Sequence, residues 1–298
     1  MMSKELLEKQ GYRFVDNHSA IKVCEWTRKS LSNQGVCYKE KFYGIKSHRC
    51  CQMTPSLICP NSCVYCWRTM TKDTIGKELK CKLDEPSEII DGCIEMQRNL
   101  MNGFPGNKNL NLIKFKEAQN PLSFAISLTG EPTLYPYLRD LIKELKNRKI
   151  ISFLVTNGQF PKALENLNPN QLYVSLDAPT KEIYKKIDKP VLKDYWERLN
   201  ESLEILSALK TRRVLRLTLI KGINLSHEKE YAKLIEKANP DFIECKGYMW
   251  LGGSREKLKY ENIPIHKEIQ DFSKKLAEET GLKVLNEDTR SRVCLLGS

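Results

Sequence analysis

Cys59-Pro60-Asn61-Ser62-Cys63-Val64-Tyr65-Cys66 places three cysteines at C-x3-C-x2-C spacing, with an aromatic residue just before the last. Three thiolates in one short loop can hold three irons of a [4Fe–4S] cluster and leave the fourth iron open to an outside ligand. Structural zinc takes four ligands, usually from paired C-x2-C motifs, and suits this triplet poorly. A disulfide framework suits it less, because 11 cysteines in 298 residues fall far below the density of a stapled secreted domain. Seven of the 11 lie between Cys24 and Cys66.

Met1–Gln10 is charged and lacks an apolar signal core, and no stretch approaches the ~18 apolar residues of a membrane span. The expectation is a soluble, cytoplasmic, monomeric protein with no membrane partner. At 41% hydrophobic content the chain can bury one large core. Its net charge is +12, and residues 1–80 carry 14 Lys/Arg against 7 Asp/Glu, so +7 of that surplus surrounds the cysteines. Positive charge gathered there favours an anionic partner, although lysine-rich solvated surfaces also occur without one.

Past the cysteines, apolar runs alternate with segments of helical period. Strands are expected near 122–128, 150–155, 172–176, 214–220 and 242–245. Helices are expected near 86–103, with Ser87 as N-cap, and near 136–148, 161–167, 193–210, 227–238 and 265–280. Alternating strands and helices predict an α/β fold with a parallel sheet, since parallel neighbours need long crossovers. Thr129-Gly130-Glu131-Pro132, Thr156-Asn157-Gly158, Asp177-Ala178-Pro179 and Lys246-Gly247 all follow strands. The carboxyl ends of parallel strands form the ligand face.

The triplet, Tyr65 beside its last cysteine, and Thr129-Gly130-Glu131-Pro132 in place of a Gly-Gly-Glu-Pro loop resemble the radical S-adenosylmethionine (SAM) enzymes. The resemblance implies a partial (β/α)6-type TIM barrel with N- and C-terminal extensions, residues 1–45 forming the first extension and 46–298 the core. It implies that Cys59, Cys63 and Cys66 bind a [4Fe–4S] cluster whose open iron takes SAM. The cofactor contacts carried over are Thr129, Gly130, Glu131, Asn157, Ser175, Asp177, Arg216 and Thr218. Arg216 interrupts an apolar strand and needs a partner, either a cofactor carboxylate or an internal acid.

Val36-Cys37-Tyr38-Lys39, Phe42-Tyr43-Gly44-Ile45, Ser47-His48-Arg49-Cys50, Glu244-Cys245-Lys246-Gly247-Tyr248-Met249 and Ser291-Arg292-Val293-Cys294-Leu295-Leu296 narrow the likeness. Over nearly its full length the chain resembles the tRNA 4-demethylwyosine synthases. That family implies a carbon–carbon lyase or synthase that joins a two-carbon piece of pyruvate to N1-methylguanosine beside the anticodon of tRNA-Phe. Cys24, Cys37 and Cys50 then hold a second [4Fe–4S] cluster that chelates pyruvate, with Cys51 the rival of Cys50, and Lys39 is the residue that forms a Schiff base, with Lys41 its alternative. The partners implied are the anticodon stem-loop and an external electron donor of flavodoxin or ferredoxin type. His48 is a candidate proton relay. Tyr38, Tyr43, Trp67, Tyr248 and Trp250 either stack on extruded bases or pack in the core. Cys81, Cys93, Cys245 and Cys294 read as core cysteines. Two other readings stay open at this point: another radical SAM enzyme acting on a protein or small molecule, and a zinc-stabilised RNA-binding protein.

Overall fold

The structure, a computed structural model, describes residues 4–69 and 71–298. The chain forms two compact units, one built from residues up to Cys59 with Glu78–Val155 and Asn168–Asn170, the other from Pro60–Lys77, Thr156–Leu167 and Gln171–Ser298.

The first unit contains strands β1 (Arg13–Val15), β2 (Ser19–Ile21), β3 (Cys50–Thr54), β4 (Ser123–Ile126) and β5 (Ile151–Thr156). Their order is β1-β2-β3-β4-β5. β1/β2 and β2/β3 are antiparallel, while β3/β4 and β4/β5 are parallel. Residues 4–45 belong to the same unit as β3 and β4. The helix Pro86–Met101 buries Ile89, Ile90, Cys93, Gln97 and Met101, a stripe at helical spacing. Its N-cap is Glu85 rather than Ser87: proline has no N–H to lose and its φ suits the first helical position, so the cap falls one residue before Pro86. Glu88 closes the box, its carboxylate accepting from Glu85 N at 3.2 Å.

The second unit contains β6 (Gln171–Ser175), β7 (Arg212–Leu219), β8 (Phe242–Gly247), β9 (Lys283–Asp288) and β10 (Val293–Gly297). Their order is β6-β7-β8-β10-β9. β6/β7 and β7/β8 are parallel, and β10 pairs antiparallel with both β8 and β9. Leu172, Val174, Leu215, Leu217 and Ile243 are wholly buried, as parallel strands covered by helices require. The other face of this sheet is different. Arg216 and Thr218 alternate with buried leucines along β7 and stay half-buried, so one polar face runs across β6, β7 and β8.

The strand order of the described residues closes on itself in neither unit. Among the described residues no helix is long and apolar enough to cross a membrane.

Candidate functional site

In the first unit, three short elements deliver three cysteines. Cys24 is the N-cap residue of the helix Glu25–Leu31, and Cys37 is the N-cap residue of the helix Tyr38–Tyr43. Cys50 ends the 3-10 turn Ser47–Arg49 and begins β3. Cross-links fix these elements together. Ser47 Oγ accepts from Cys37 N at 2.9 Å, Thr27 Oγ1 donates to Ser47 O at 3.0 Å, and Ser47 N donates to Glu40 at 2.8 Å.

The thiols are close enough to feel one another electrostatically. Burial pushes Cys37 up to about 12, with the charge of Cys24 raising it further and Lys39 opposing. Cys50 is likewise pushed up to about 12 by burial and by Cys24, while a hydrogen bond with Ser123 and the charge of Lys39 oppose. Burial raises Cys24 also, again against Lys39. Lys39 is therefore common to all three thiols. It is only 8% exposed, and its Nζ lies 5.0 Å from the centre of the Phe153 ring.

The donor set fits an iron–sulfur cluster better than one ion. A single tetrahedral zinc would hold thiolates about 3.8 Å apart. The set of metal-ligating atoms that crowds within 4.8 Å lies elsewhere in the described residues, at His266, Glu287 and Cys294. Strand alternation separates the rivals: Cys51 is wholly buried and hydrogen-bonded with Cys93, while Cys50 turns to the side of Cys24 and Lys39. His48 is buried, its Nε2 2.5 Å from Glu117 Oε2 and its Nδ1 without a partner among the described residues.

The Thr129-Gly130-Glu131-Pro132 loop belongs to this unit and lies against the chain that leads into Cys59. Glu131 N donates to Ile58 O at 2.7 Å, and Thr54 Oγ1 donates to Thr129 O at 2.6 Å. Gly130 has φ +64°, and a Cβ there would lie 2.0 Å from Ser56 O, so glycine is required on two counts. The Glu131 side chain is buried and accepts from Thr133 Oγ1 at 2.6 Å and Thr133 N at 3.1 Å.

In the second unit, Cys63 and Cys66 sit in a loop held from two sides. Ser62 N and Val64 N donate to Asp188 O and Ile187 O at 3.0 and 2.8 Å, and the Cys63 thiol donates to Asp188 Oδ1 at 3.1 Å. Tyr65 OH reaches Asp177 Oδ2 at 2.5 Å and Asp188 Oδ1 at 3.2 Å. Farther along, Gly253 N donates to Trp67 O at 2.8 Å, and a Cβ on Gly252 would lie 2.0 Å from that same oxygen. Burial pushes Asp188 well above the ordinary carboxylate range, and the charge of Asp177 adds to it.

The expected cofactor contacts of this unit divide into two groups. Ser175, Arg216 and Thr218 line the polar face, half-buried, with Ser175 and Arg216 in register on adjacent strands. Asp177 is 2% exposed, and its oxygens accept from Tyr65 OH and from Thr218 N, the latter at 2.6 Å. Asn157 accepts from Gln159 N at 3.0 Å, an Asx turn. The internal acid beside Arg216 is Glu244, which accepts from Nε at 2.9 Å and from Nη2 at 2.8 Å, and Tyr173 lies 4.5 Å beneath the guanidinium. Sequence reasoning misses Glu244 and Asp188 as site residues. A signal existed for Glu244, a carboxylate inside the apolar run Phe242–Cys245; Asp188 has none. Two aromatic expectations resolve as core, Tyr38 at 6% and Tyr248 at 1% exposure. Cys93, Cys245 and Cys294 are buried, but Cys81 is exposed and is not a core residue, since 78–84 forms no helix or strand that could bury it.

Residues 53–235 match the family described as the radical SAM superfamily, and residues 237–298 match wyosine base formation. The S-adenosyl-L-methionine-dependent tRNA 4-demethylwyosine synthase of Pyrococcus horikoshii is 46% identical over 98% of this chain and 87% of its own length. This chain belongs to the tRNA 4-demethylwyosine synthase family of radical SAM enzymes. Its fold is similar to a solved structure of TYW1 with a lysine-pyruvate adduct bound, with TM-score 0.90, 39% identity and coverage of 98% of this chain and 94% of that one. An archaeal TYW1 crystal structure gives TM-score 0.82 at 36% identity, covering 100% of this chain and 96% of that one. The fold class is therefore the open α/β partial barrel of radical SAM enzymes, and membership brings SAM, one [4Fe–4S] cluster and a tRNA substrate. A zinc-stabilised RNA-binding protein is set aside, and so is a radical SAM enzyme of unrelated substrate.

Proposed function

We propose that this enzyme joins the two-carbon piece of pyruvate to N1-methylguanosine beside the anticodon of tRNA-Phe, with loss of the pyruvate carboxylate carbon, to give 4-demethylwyosine, using two [4Fe–4S] clusters. The observation that carries the reading is the gathering of Cys24, Cys37, Cys50 and Lys39 within mutual electrostatic reach inside one unit. Three thiols with a buried amine beside them make a site for a small anionic keto acid. The thiols would hold a cluster with one open iron, and Lys39 supplies an amine that can condense with the keto carbon.

Cys59, Cys63 and Cys66 would hold the cluster that binds SAM. Loaded there, the cluster would supply one-electron reduction of the SAM sulfonium and so the radical chemistry that activates the guanosine N-methyl group. The residues of this chain do the positioning. Gly130 brings the backbone of its loop against Ser56, which fixes the approach to Cys59, and Asp188 fixes the backbone around Cys63. Ser175, Arg216 and Thr218 offer a hydroxyl, a guanidinium and a hydroxyl to the ribose and methionine ends of SAM. An external flavodoxin- or ferredoxin-type donor supplies the electron to a cytoplasmic monomer, and lysines near the cysteines meet the anticodon phosphates.

Anoxic reconstitution tests the reading. Wild type is expected to hold about eight irons per chain. Given reductant, SAM, pyruvate and methylated tRNA, it should release 5′-deoxyadenosine and form the tricyclic base. The Cys24→Ala/Cys37→Ala/Cys50→Ala variant should fall to about four irons, still cleave SAM, and form no tricyclic base. A triple variant that keeps all its iron, or still closes the third ring, ends the two-cluster reading.

A further inference from the structure

The C-terminal part of the second unit contains a second group of metal-type donors, separate from the six cysteines above. Cys294 on β10 lies directly opposite Glu287 on β9, so their side chains leave the hairpin on the same face. The helix His266–Thr280 packs against these strands. Its residues His266, Gln270 and Ser273 fall at spacings of four and three, forming one polar stripe beside the buried apolar residues Ile269, Phe272 and Leu276. A nitrogen of His266, an oxygen of Glu287 and the sulfur of Cys294 all lie within 4.8 Å of one another.

We propose that His266, Glu287 and Cys294 bind one zinc-class divalent cation, with a water in the fourth position. The donor set of one imidazole, one carboxylate and one thiolate is of the type that borderline-soft Zn2+ selects, and three protein ligands with an open position is a known zinc arrangement. Its geometry is held from outside. Gln270 Nε2 donates to Glu287 Oε2 at 2.7 Å, fixing the carboxylate 3.1 Å from His266 Nε2. Cys294 is wholly buried at the base, His266 is 12% exposed, and Glu287 is 44% exposed at the rim, which gives the ion an entry path and room for the water. A His–Glu hydrogen bond alone would need neither a cysteine below it nor an amide clamp on the carboxylate. His266 also keeps a buried ring nitrogen, Nδ1, with no partner among the described residues. The consequence is structural: the ion ties the first turn of the terminal helix to the β9–β10 hairpin.

Iron-loaded enzyme, prepared without oxygen, is equilibrated with Zn2+, passed over a chelating resin, and examined for zinc content and Zn K-edge X-ray absorption. The expected result is about one zinc per chain with one sulfur at about 2.3 Å and nitrogen or oxygen at about 2.0–2.2 Å. Glu287→Gln and His266→Gln should each weaken retention by about tenfold or more, Cys294→Ala should remove the sulfur scatterer, and Cys81→Ala should change nothing. Should Cys294→Ala fail to fold, Glu287→Gln, at a half-exposed position, still decides the matter. The proposal is overturned by wild type that holds no zinc, by zinc retained unchanged in His266→Gln, or by a shell of two or more sulfurs, which places the ion among the cluster cysteines.

Discussion

Arg216 on β7 and Glu244 on β8 stand in register, and a single carboxylate oxygen of Glu244 takes both the Nε and Nη2 hydrogens of Arg216. Glu244 is wholly buried and the arginine side chain is 17% exposed, so neither charge is screened much by water. A buried pair of this type adds little net stability but is costly to break from one side. Glu244→Ala should lose about 3–5 kcal/mol in urea unfolding. The double change Arg216→Met/Glu244→Leu should recover most of that stability while SAM binding stays weak. A double variant that binds SAM normally removes Arg216 from the cofactor contacts.

Two glycines hold the cysteine loop by close approach rather than by flexibility. A Cβ at Gly130 would fall 2.0 Å from Ser56 O, and one at Gly252 would fall 2.0 Å from Trp67 O; both residues have positive φ. Gly130→Ala and Gly252→Ala should therefore each cost several times the ~1 kcal/mol of an ordinary glycine change. Gly103→Ala, where nothing lies within 4 Å, should be nearly silent. Thermal unfolding of the three variants reads the ranking directly, and equal losses would show that the close contacts carry no strain.

Much of this architecture is legible in the chain because β and α periods differ. The runs at 122–128 and 172–176 read as strands since their residues are mostly apolar, broken only by serines, and Leu138, Leu141, Ile142 and Leu145 mark a helical stripe. Five strands escape the reading: β3 and the buried, apolar β10 are passed over although β10 carries that pattern, while β1, β2 and β9 lack it. β1 and β2 are three residues each, and Lys283–Asp288 is exposed at its start and charged at both ends, so it reads as a loop until β10 pairs with it. The cysteine triplet is a local motif, yet what holds it is not: Asp188 lies 125 residues from Cys63 in the chain, and Gly253 binds the backbone of Trp67. Spacing can name ligands, while the residues that fix them are chosen by tertiary contact. The same limit separates Arg216, visible as a charge inside an apolar strand, from its partner Glu244.

The cluster-free protein should lose stability in alkali through Cys37 and Cys50. Burial raises both thiols to about 12 from the ordinary 9.0, so between those values the unfolded chain has released protons that the fold still holds. Stability is then full below about pH 9 and falls as pH rises toward 12. On the two-cluster reading the same sulfurs would be held as thiolates in iron-loaded protein, and this part of the alkaline loss should disappear. Unfolding temperatures of both forms at pH 8 and pH 10 measure the difference; identical shifts would mean that the metal does not engage these two cysteines.

The amine chemistry of Lys39 can be tested apart from its charge. It lies two residues after Cys37, 8% exposed, with Phe153 against its ammonium and three thiols within electrostatic reach. Lys39→Arg keeps a cation there but removes an amine able to condense with a ketone. Iron content should stay near that of wild type, while formation of the tricyclic base falls on the order of a thousandfold. Borohydride with labelled pyruvate should mark wild type and Lys41→Ala alike and leave Lys39→Arg unlabelled. Label that persists in Lys39→Arg would assign the covalent role to another amine and leave Lys39 a purely electrostatic part in holding the keto acid.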